Sequence, residues 1–225
     1  DPMFTTKSIM AAVLPLMQEP KLNFTIIIRD CIGWLVFFLL LTQPPFDRLS
    51  RFRVLKFVFY ILGLEILIRG NVITVNDLLS ALCAFALFSS LPAQKLQQGL
   101  LRGLVLAIFL TLLYPFSVAS PFNNYSWLPF SGLMKGSPWV NGELLLLKIY
   151  LYSSFIYLLR RTYMSWGGAA LISVGILLIL SLSQIFFGHK NGEFTEPLLA
   201  GLIIWALSQF EKVATDEKAM AKKLN

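Results

Sequence analysis

The stretch FYILGLEILIRGNVITVNDLLSALCAF, Phe59 to Phe85, decides the fold class. It places a glutamate, Glu65, inside an apolar run, breaks between Arg69 and Asn76, and restarts behind an acid, Asp77. A soluble protein hides such a carboxylate in a salt bridge. In a bilayer a charged side chain costs about 2.5–3.5 kcal/mol on insertion scales, so it needs a reason to be there.

The rest of the chain identifies the solvent. Of 225 residues, 56% are hydrophobic and only 14% charged, with a mean hydropathy of +0.70. An ordinary soluble domain carries about 25% charged residues. The composition is that of a polytopic integral membrane protein of the all-α class. The 19 Phe and 5 Trp suit lipid-facing surfaces and interfacial belts. A net charge of +7 is spread over the connections, and no Lys/Arg stripe interleaves with aromatics, so no nucleic-acid partner is expected. Membrane lipids are the expected partners, with other membrane protein subunits as the alternative. Cys31 and Cys83 both sit in apolar runs and read as small core residues. His189 is the single histidine, so no metal site and no cofactor are expected.

Segments long enough to cross run from about Phe24 to Thr42, Val54 to Ile68, Asp77 to Leu91, Gly99 to Val118, Gly142 to Leu159, Trp166 to Phe187 and Thr195 to Phe210, seven helices in all. Before them, residues 1–23 form an interfacial segment, in which Asp1-Pro2 ahead of Met3 reads as an added remnant. The plan is then a first three-helix unit over 24–91, a linking helix over 92–119, a loop over 120–141, a second three-helix unit over 142–210 and a solvated helical tail over 211–225. QPPFDRLSR and SSLPAQK stop the first and third helices. The loop is rich in Pro, Gly and aromatics, and Trp127, Pro129, Phe130 and Trp139 mark it as an interfacial lid.

Twelve of the 19 Lys and Arg lie on the connections after helices one, three and five and on the tail; five lie on the opposite side, and Arg29 and Lys148 lie within helices. The positive-inside rule then puts the C-terminus in the cytoplasm and, with seven spans, the N-terminus outside. At an offset of 119, Arg29 maps to Lys148, Glu65 to Gln184 and Asp77 to Glu196. The polar matches indicate a parallel repeat of the two three-helix units.

This topology brings Arg29, Glu65 and Asp77 to the outer leaflet, and likewise Lys148, Gln184, Lys190, Glu193 and Glu196. Each cation should pair with an acid, Arg29 with Glu65 or Asp77, and Lys148 with Glu196 or Glu143. An ion pair that only pins three helices is the competing reading. An acid in the first helical turn is also favoured by the helix dipole, which accounts for Asp77 and Glu196 individually. No nucleophile elbow, CxxC, HExxH or phosphate loop occurs, so no catalytic residue is assigned. The one acid/base grouping in reach is His189 with Glu193 and Glu196. The sequons at Asn23 and Asn124 are short enough to arise by chance.

The segments NYSWLPF (124–130), ELLLLKIYLYSSFIYLLRR (143–161) and ILSLSQIFFGHKNGEFTEPLLAGLIIWAL (179–207) resemble the VanZ-like family. Its members carry a Pro-Phe loop, a helix of the type "nillFiPlGf" and a closing "EllQ…gR…d…DlllN…G". Pro129-Phe130 match the loop and Gln184 the glutamine. Lys190 stands at the basic position, and Glu193 and Glu196 at the acids. The resemblance covers about Leu104 to Trp205. Ser181 stands where the family glutamate is expected, Ala200 replaces the asparagine, and the acids are Glu rather than Asp. The resemblance implies a bacterial inner-membrane protein of the cell envelope, and the family takes its name from glycopeptide resistance, notably to teicoplanin. The combined expectation is an outward-facing polar pocket for a lipid or lipid-linked glycan headgroup or an amphiphilic glycopeptide antibiotic. A non-catalytic scaffold subunit of a larger membrane complex is the alternative, ahead of an enzyme or a transporter.

Overall fold

Helix ends in this chain are set by short polar caps between apolar runs. The computed structural model describes residues 22–42, 56, 60–61, 74–116, 125–132, 137–187 and 192–224, and the side chains of 93–94, 138–139 and 214–224 are not among those described. Among the described residues there are α1 (Phe24–Leu41), α2 (Val75–Ser90), α3 (Ala93–Leu113), α4 (Pro138–Thr162), α5 (Trp166–Ser183), a 3₁₀ turn (Gln184–Phe186) and α6 (Thr195–Leu224), with no strand. The elements of the described residues are all helical.

Four of these segments are long and apolar enough to cross a membrane: Phe24–Leu41, Lys95–Leu113, Val140–Thr162 and Trp166–Phe186. The shortest, 18 residues, spans about 27 Å at 1.5 Å per residue, close to a hydrocarbon core of about 30 Å. α2 is apolar but shorter, at 16 residues. The expected second helix, Val54 to Ile68, lies almost wholly outside the described residues, and Glu65 with it; Lys56, Tyr60 and Ile61 are helical.

Several boundaries differ from the expected ones. α2 starts at Val75, two residues early, because Thr74 caps it: the Thr74 hydroxyl accepts from the Asp77 N–H at 3.4 Å, and Asp77 Oδ2 accepts from the Thr74 N–H at 2.7 Å. This is a capping box. α3 starts at Ala93, immediately behind Leu91-Pro92, and ends at Leu113, so the polar AQKLQQ is its first turns and not part of the break. α4 starts at Pro138 because proline fits the first helical turn, where an N–H has no acceptor anyway. This shortens the expected loop of 120–141 from its end. α6 continues through the tail to Leu224 as one helix.

The chain divides into two compact units, residues 1–103 and 104–225, with the boundary inside α3. In the first, α1 packs on α2. The Asn23 side chain caps α1 by accepting from the Thr25 and Ile26 N–H groups, and the Asn23 N–H donates to Asn76 Oδ1 at 3.1 Å. The two helices therefore begin side by side and run in the same direction. Phe38 is fully buried between them, 6.1 Å from Phe85 edge-on and 5.5 Å from Phe88, and Ala81 and Ala84 let α2 approach closely.

In the second unit, α4, α5 and α6 form an up-down-up set. Lys148 of α4 pairs with Glu196 at the start of α6, and Arg160, twelve residues further on, pairs with Glu211, fifteen residues further on. Those advances are about 18 and 22 Å, so α4 and α6 are parallel. α5 returns between them. Its buried residues Ala169, Ser173, Leu177 and Ser181 recur every fourth position, and it packs most closely on α6, which buries Leu199, Ala200 and Ile203. The small residues let the backbones come close, as helix pairs in lipid require. Elsewhere on α5, Leu171 is 78% exposed, which suits a lipid-facing surface.

Replacing buried Phe38 by Ala should lower stability by about 3–5 kcal/mol. Phe24→Ala, at an exposed position, serves as the control. The check is thermal unfolding in detergent, where Phe38→Ala should unfold well below the parent and Phe24→Ala close to it.

Candidate functional site

Lys148 and Tyr152 are four residues apart on α4 and so share one face. Both reach Glu196, the second residue of α6. Glu196 Oε1 accepts from Lys148 Nζ at 2.5 Å, and Oε2 accepts from the Tyr152 hydroxyl. Glu196 is almost completely buried, its side chain 3% exposed, whereas the Lys148 side chain keeps 18%. The first turn of α6 adds its dipole and unpaired N–H groups in favour of the anion. The expected pairing of Lys148 with Glu196 is present, and Tyr152 completes it.

Next to this triad in sequence, Glu193 organises the preceding loop. Its Oε1 accepts from the Ser131 hydroxyl at 3.1 Å and its Oε2 from the Thr195 hydroxyl at 2.9 Å. Thr195 Oγ1 in turn accepts from the Phe130 N–H at 2.7 Å. Phe130 has φ of 60°, a left-handed conformation that costs a non-glycine residue about 1–2 kcal/mol and is held here by its hydrogen bond. A Cβ on Gly132 would lie 2.5 Å from Glu193 Oε1, so only glycine lets the carboxylate sit against the loop backbone. A second clasp is a parallel bridge: the Ser126 N–H donates to the Gly192 carbonyl at 2.8 Å, and the Phe194 N–H donates to the Ser126 carbonyl at 3.0 Å. Buried Ser181 donates to the Glu193 carbonyl at 2.5 Å.

Gln184 is also buried, and its Nε2 donates to the Leu112 carbonyl at 3.1 Å, satisfying one of the open acceptors in the last turn of α3. In the loop, Trp127 is exposed, 4.9 Å from the Tyr125 ring and 6.1 Å from Phe194. Pro129 and Phe130 are half-buried. The Trp139 side chain, Lys190 and His189 lie outside the described residues, so the grouping of His189 with Glu193 and Glu196 does too.

The first unit departs from expectation. Among the described residues Arg29 does not pair with Asp77; its Nε donates to Asp30 Oδ1 at 2.7 Å, and the expected pairing with Glu65 lies outside the described residues. Asp77 is committed to the cap of α2, where its Oδ2 accepts from both the N–H and the hydroxyl of Thr74. A local capping box competes well for an acid at the third helical position. Among the described residues, then, the Lys148–Glu196 pairing has no counterpart between Arg29 and Asp77.

At the far end of the second unit, Glu211 accepts from Arg160 at 3.0 Å and from the Trp166 indole, and the Arg160 guanidinium stands 5.6 Å from the centre of the Trp166 ring. Among the described residues no group of three His, Cys, Asp or Glu is placed to hold a metal, and Cys31 and Cys83 are free thiols.

Tyr152, Thr195 and Ser131 were not singled out in the sequence, and Ser181 was noted there only as a departure from a family pattern. Only Tyr152 carried a readable signal, its i+4 spacing from Lys148. The comparisons with known proteins add no relative: no family model, curated protein or solved structure matches the chain.

Removing one member of a buried ion pair strands the other, at about 3–5 kcal/mol. Lys148→Met should therefore destabilise the protein strongly, and Lys148→Met with Glu196→Gln much less. A double-mutant cycle in detergent unfolding reads the difference as a coupling well above 1 kcal/mol, the upper end for exposed pairs. Gly132→Ala should lower the unfolding temperature only modestly in the same measurement, because the Glu193 carboxylate, the end of a flexible side chain, can shift away from the added methyl.

Proposed function

We propose that this chain is a VanZ-like cell-envelope membrane protein whose second unit engages the headgroup of an envelope lipid or lipid-linked glycan, or an amphiphilic glycopeptide antibiotic. The carrying observation is the Lys148–Glu196–Tyr152 triad. A structural ion pair needs only one donor from the ammonium, and Lys148 has three. Its side chain remains 18% exposed while its partner is sealed. A phosphate or carboxylate can thus add to Lys148 as a point-charge contact without breaking the pair. The clasped loop from Tyr125 to Gly132 stands beside the triad, since Thr195, which links Phe130 to Glu193, directly precedes Glu196.

The finer reading has seven spans in a parallel repeat. In its favour, α1 and α2 run in the same direction, as do α4 and α6, with Asp77 and Glu196 both in the first turn of the later helix. Arg160, Arg161 and Lys212 cluster at the end away from Lys148, in keeping with a cytoplasmic C-terminus, an extracytoplasmic N-terminus and the bacterial inner membrane.

A scaffold subunit of a larger membrane complex is the second reading. It is favoured by Glu196 having both oxygens occupied, which makes the triad self-sufficient.

The deciding experiment measures lipids that copurify in mild detergent with the parent and with Lys148→Met/Glu196→Gln, which removes the charges together. Loss of an anionic lipid species from the double variant, with folding retained, is the expected result. An unchanged lipid profile ends the headgroup reading, and a stable partner recovered at native expression turns the choice to the scaffold.

A further inference from the structure

The second unit exposes an aromatic tip that the polar triad does not use. Trp127 and Leu128 are 72% and 66% exposed, the largest apolar side chains on the described part of the loop to be so open. Yet the backbone that carries them is held on both sides. Before them, Ser126 gives its N–H to Gly192 and takes the N–H of Phe194. After them, Phe130 gives its N–H to Thr195, and Ser131 binds Glu193. Tyr125 and Phe194 back the indole from within the unit.

The tip also has a defined depth. The span over Trp166–Phe186 ends at exposed Phe186, and Ser126 is bonded to the residues that immediately precede α6. The loop is therefore fastened where helices leave the hydrocarbon region. At that level the neighbouring medium is the headgroup and upper acyl layer, in which an indole keeps its ring apolar and its N–H polar.

We propose that the Trp127-Leu128 tip is a fixed anchor seated in the interfacial layer of the protein's own bilayer, with Glu193 and the Ser126 bridge as the clasp behind it. Because the clasp orders the backbone beforehand, little conformational freedom remains to be lost on insertion. This role is independent of the headgroup reading. The loop is then a wall at the site, held in place by lipid on one side and by Glu193 on the other, and does not act as a hinged cover.

The test uses the full chain in lipid nanodiscs. The Trp127 contribution is the fluorescence difference between the parent and Trp127→Phe, measured with lipids brominated near the headgroup or near the chain terminus, and with iodide in the water. The proposal expects loss of this fluorescence with the shallow-brominated lipid, little loss with the deep one, and protection from iodide. Quenching by iodide without quenching by lipid would overturn it by placing the tip in water. Protection from all three quenchers would overturn it in favour of a second copy or another protein over the tip. Leu128→Cys carrying a nitroxide gives the same depth by electron paramagnetic resonance should Trp127→Phe fold poorly.

Discussion

The second unit depends on keeping a carboxylate charged inside a helix bundle. Glu196 is sealed from solvent, so its charge must be met by protein, and Lys148, Tyr152 and the start of α6 meet it together. The consequence is directional. The ammonium and the hydroxyl, one helical turn apart on α4, converge on one residue and fix the register there, and with the Arg160–Glu211 pair further along α4 and α6 run parallel. The Arg160–Glu211 pair repeats that register at the other end, where exposure makes it weaker and Trp166 closes it. α5 then fits in as the return helix, bringing to α6 a stripe of four buried residues of which three, Ala169, Ser173 and Ser181, are small.

The loop before α6 follows from the same location. A helix start offers open N–H groups and favours acids, and two glutamates occur there within four residues. They divide the work. Glu196 turns into the bundle, and Glu193 turns toward Ser131 and Thr195 to hold the loop. Gly132 leaves room for the close approach of Glu193, and Phe130 tolerates its positive φ because Thr195 accepts its N–H. Binding and scaffolding make different demands on this arrangement. Binding uses the spare donors of Lys148; scaffolding needs only the pair and the exposed apolar surface.

Much of the fold was legible from the chain alone. An apolar run of 18 or more residues has few alternatives to a membrane-crossing helix, so α1, α3, α4 and α5 could be read from length and composition. That Lys148 needs an acid, Glu196 or Glu143, was legible because an intramembrane cation must be neutralised. Helix ends were less so. Pro92 and Pro138 each mark the start of a helix, though a proline between apolar runs reads equally as a stop.

Sequence by itself determined the solvent, the helical class and which charges had to be neutralised, because those follow from how many polar groups a chain can offer to lipid. Tertiary structure alone decided which partner each charge takes. Arg29 and Asp77 share a spacing with Lys148 and Glu196, but Asp77 satisfies the cap at Thr74, and Arg29 turns to Asp30. The contribution of Tyr152, Thr195, Ser131 and Ser181 likewise belongs to three dimensions, since a neutral hydroxyl has no charge to announce it and matters only through the group it faces. The stretch around Asp77 thus reads as a capped, membrane-facing helix start. Its acid is spoken for locally, while its counterpart Glu196 is buried and shared.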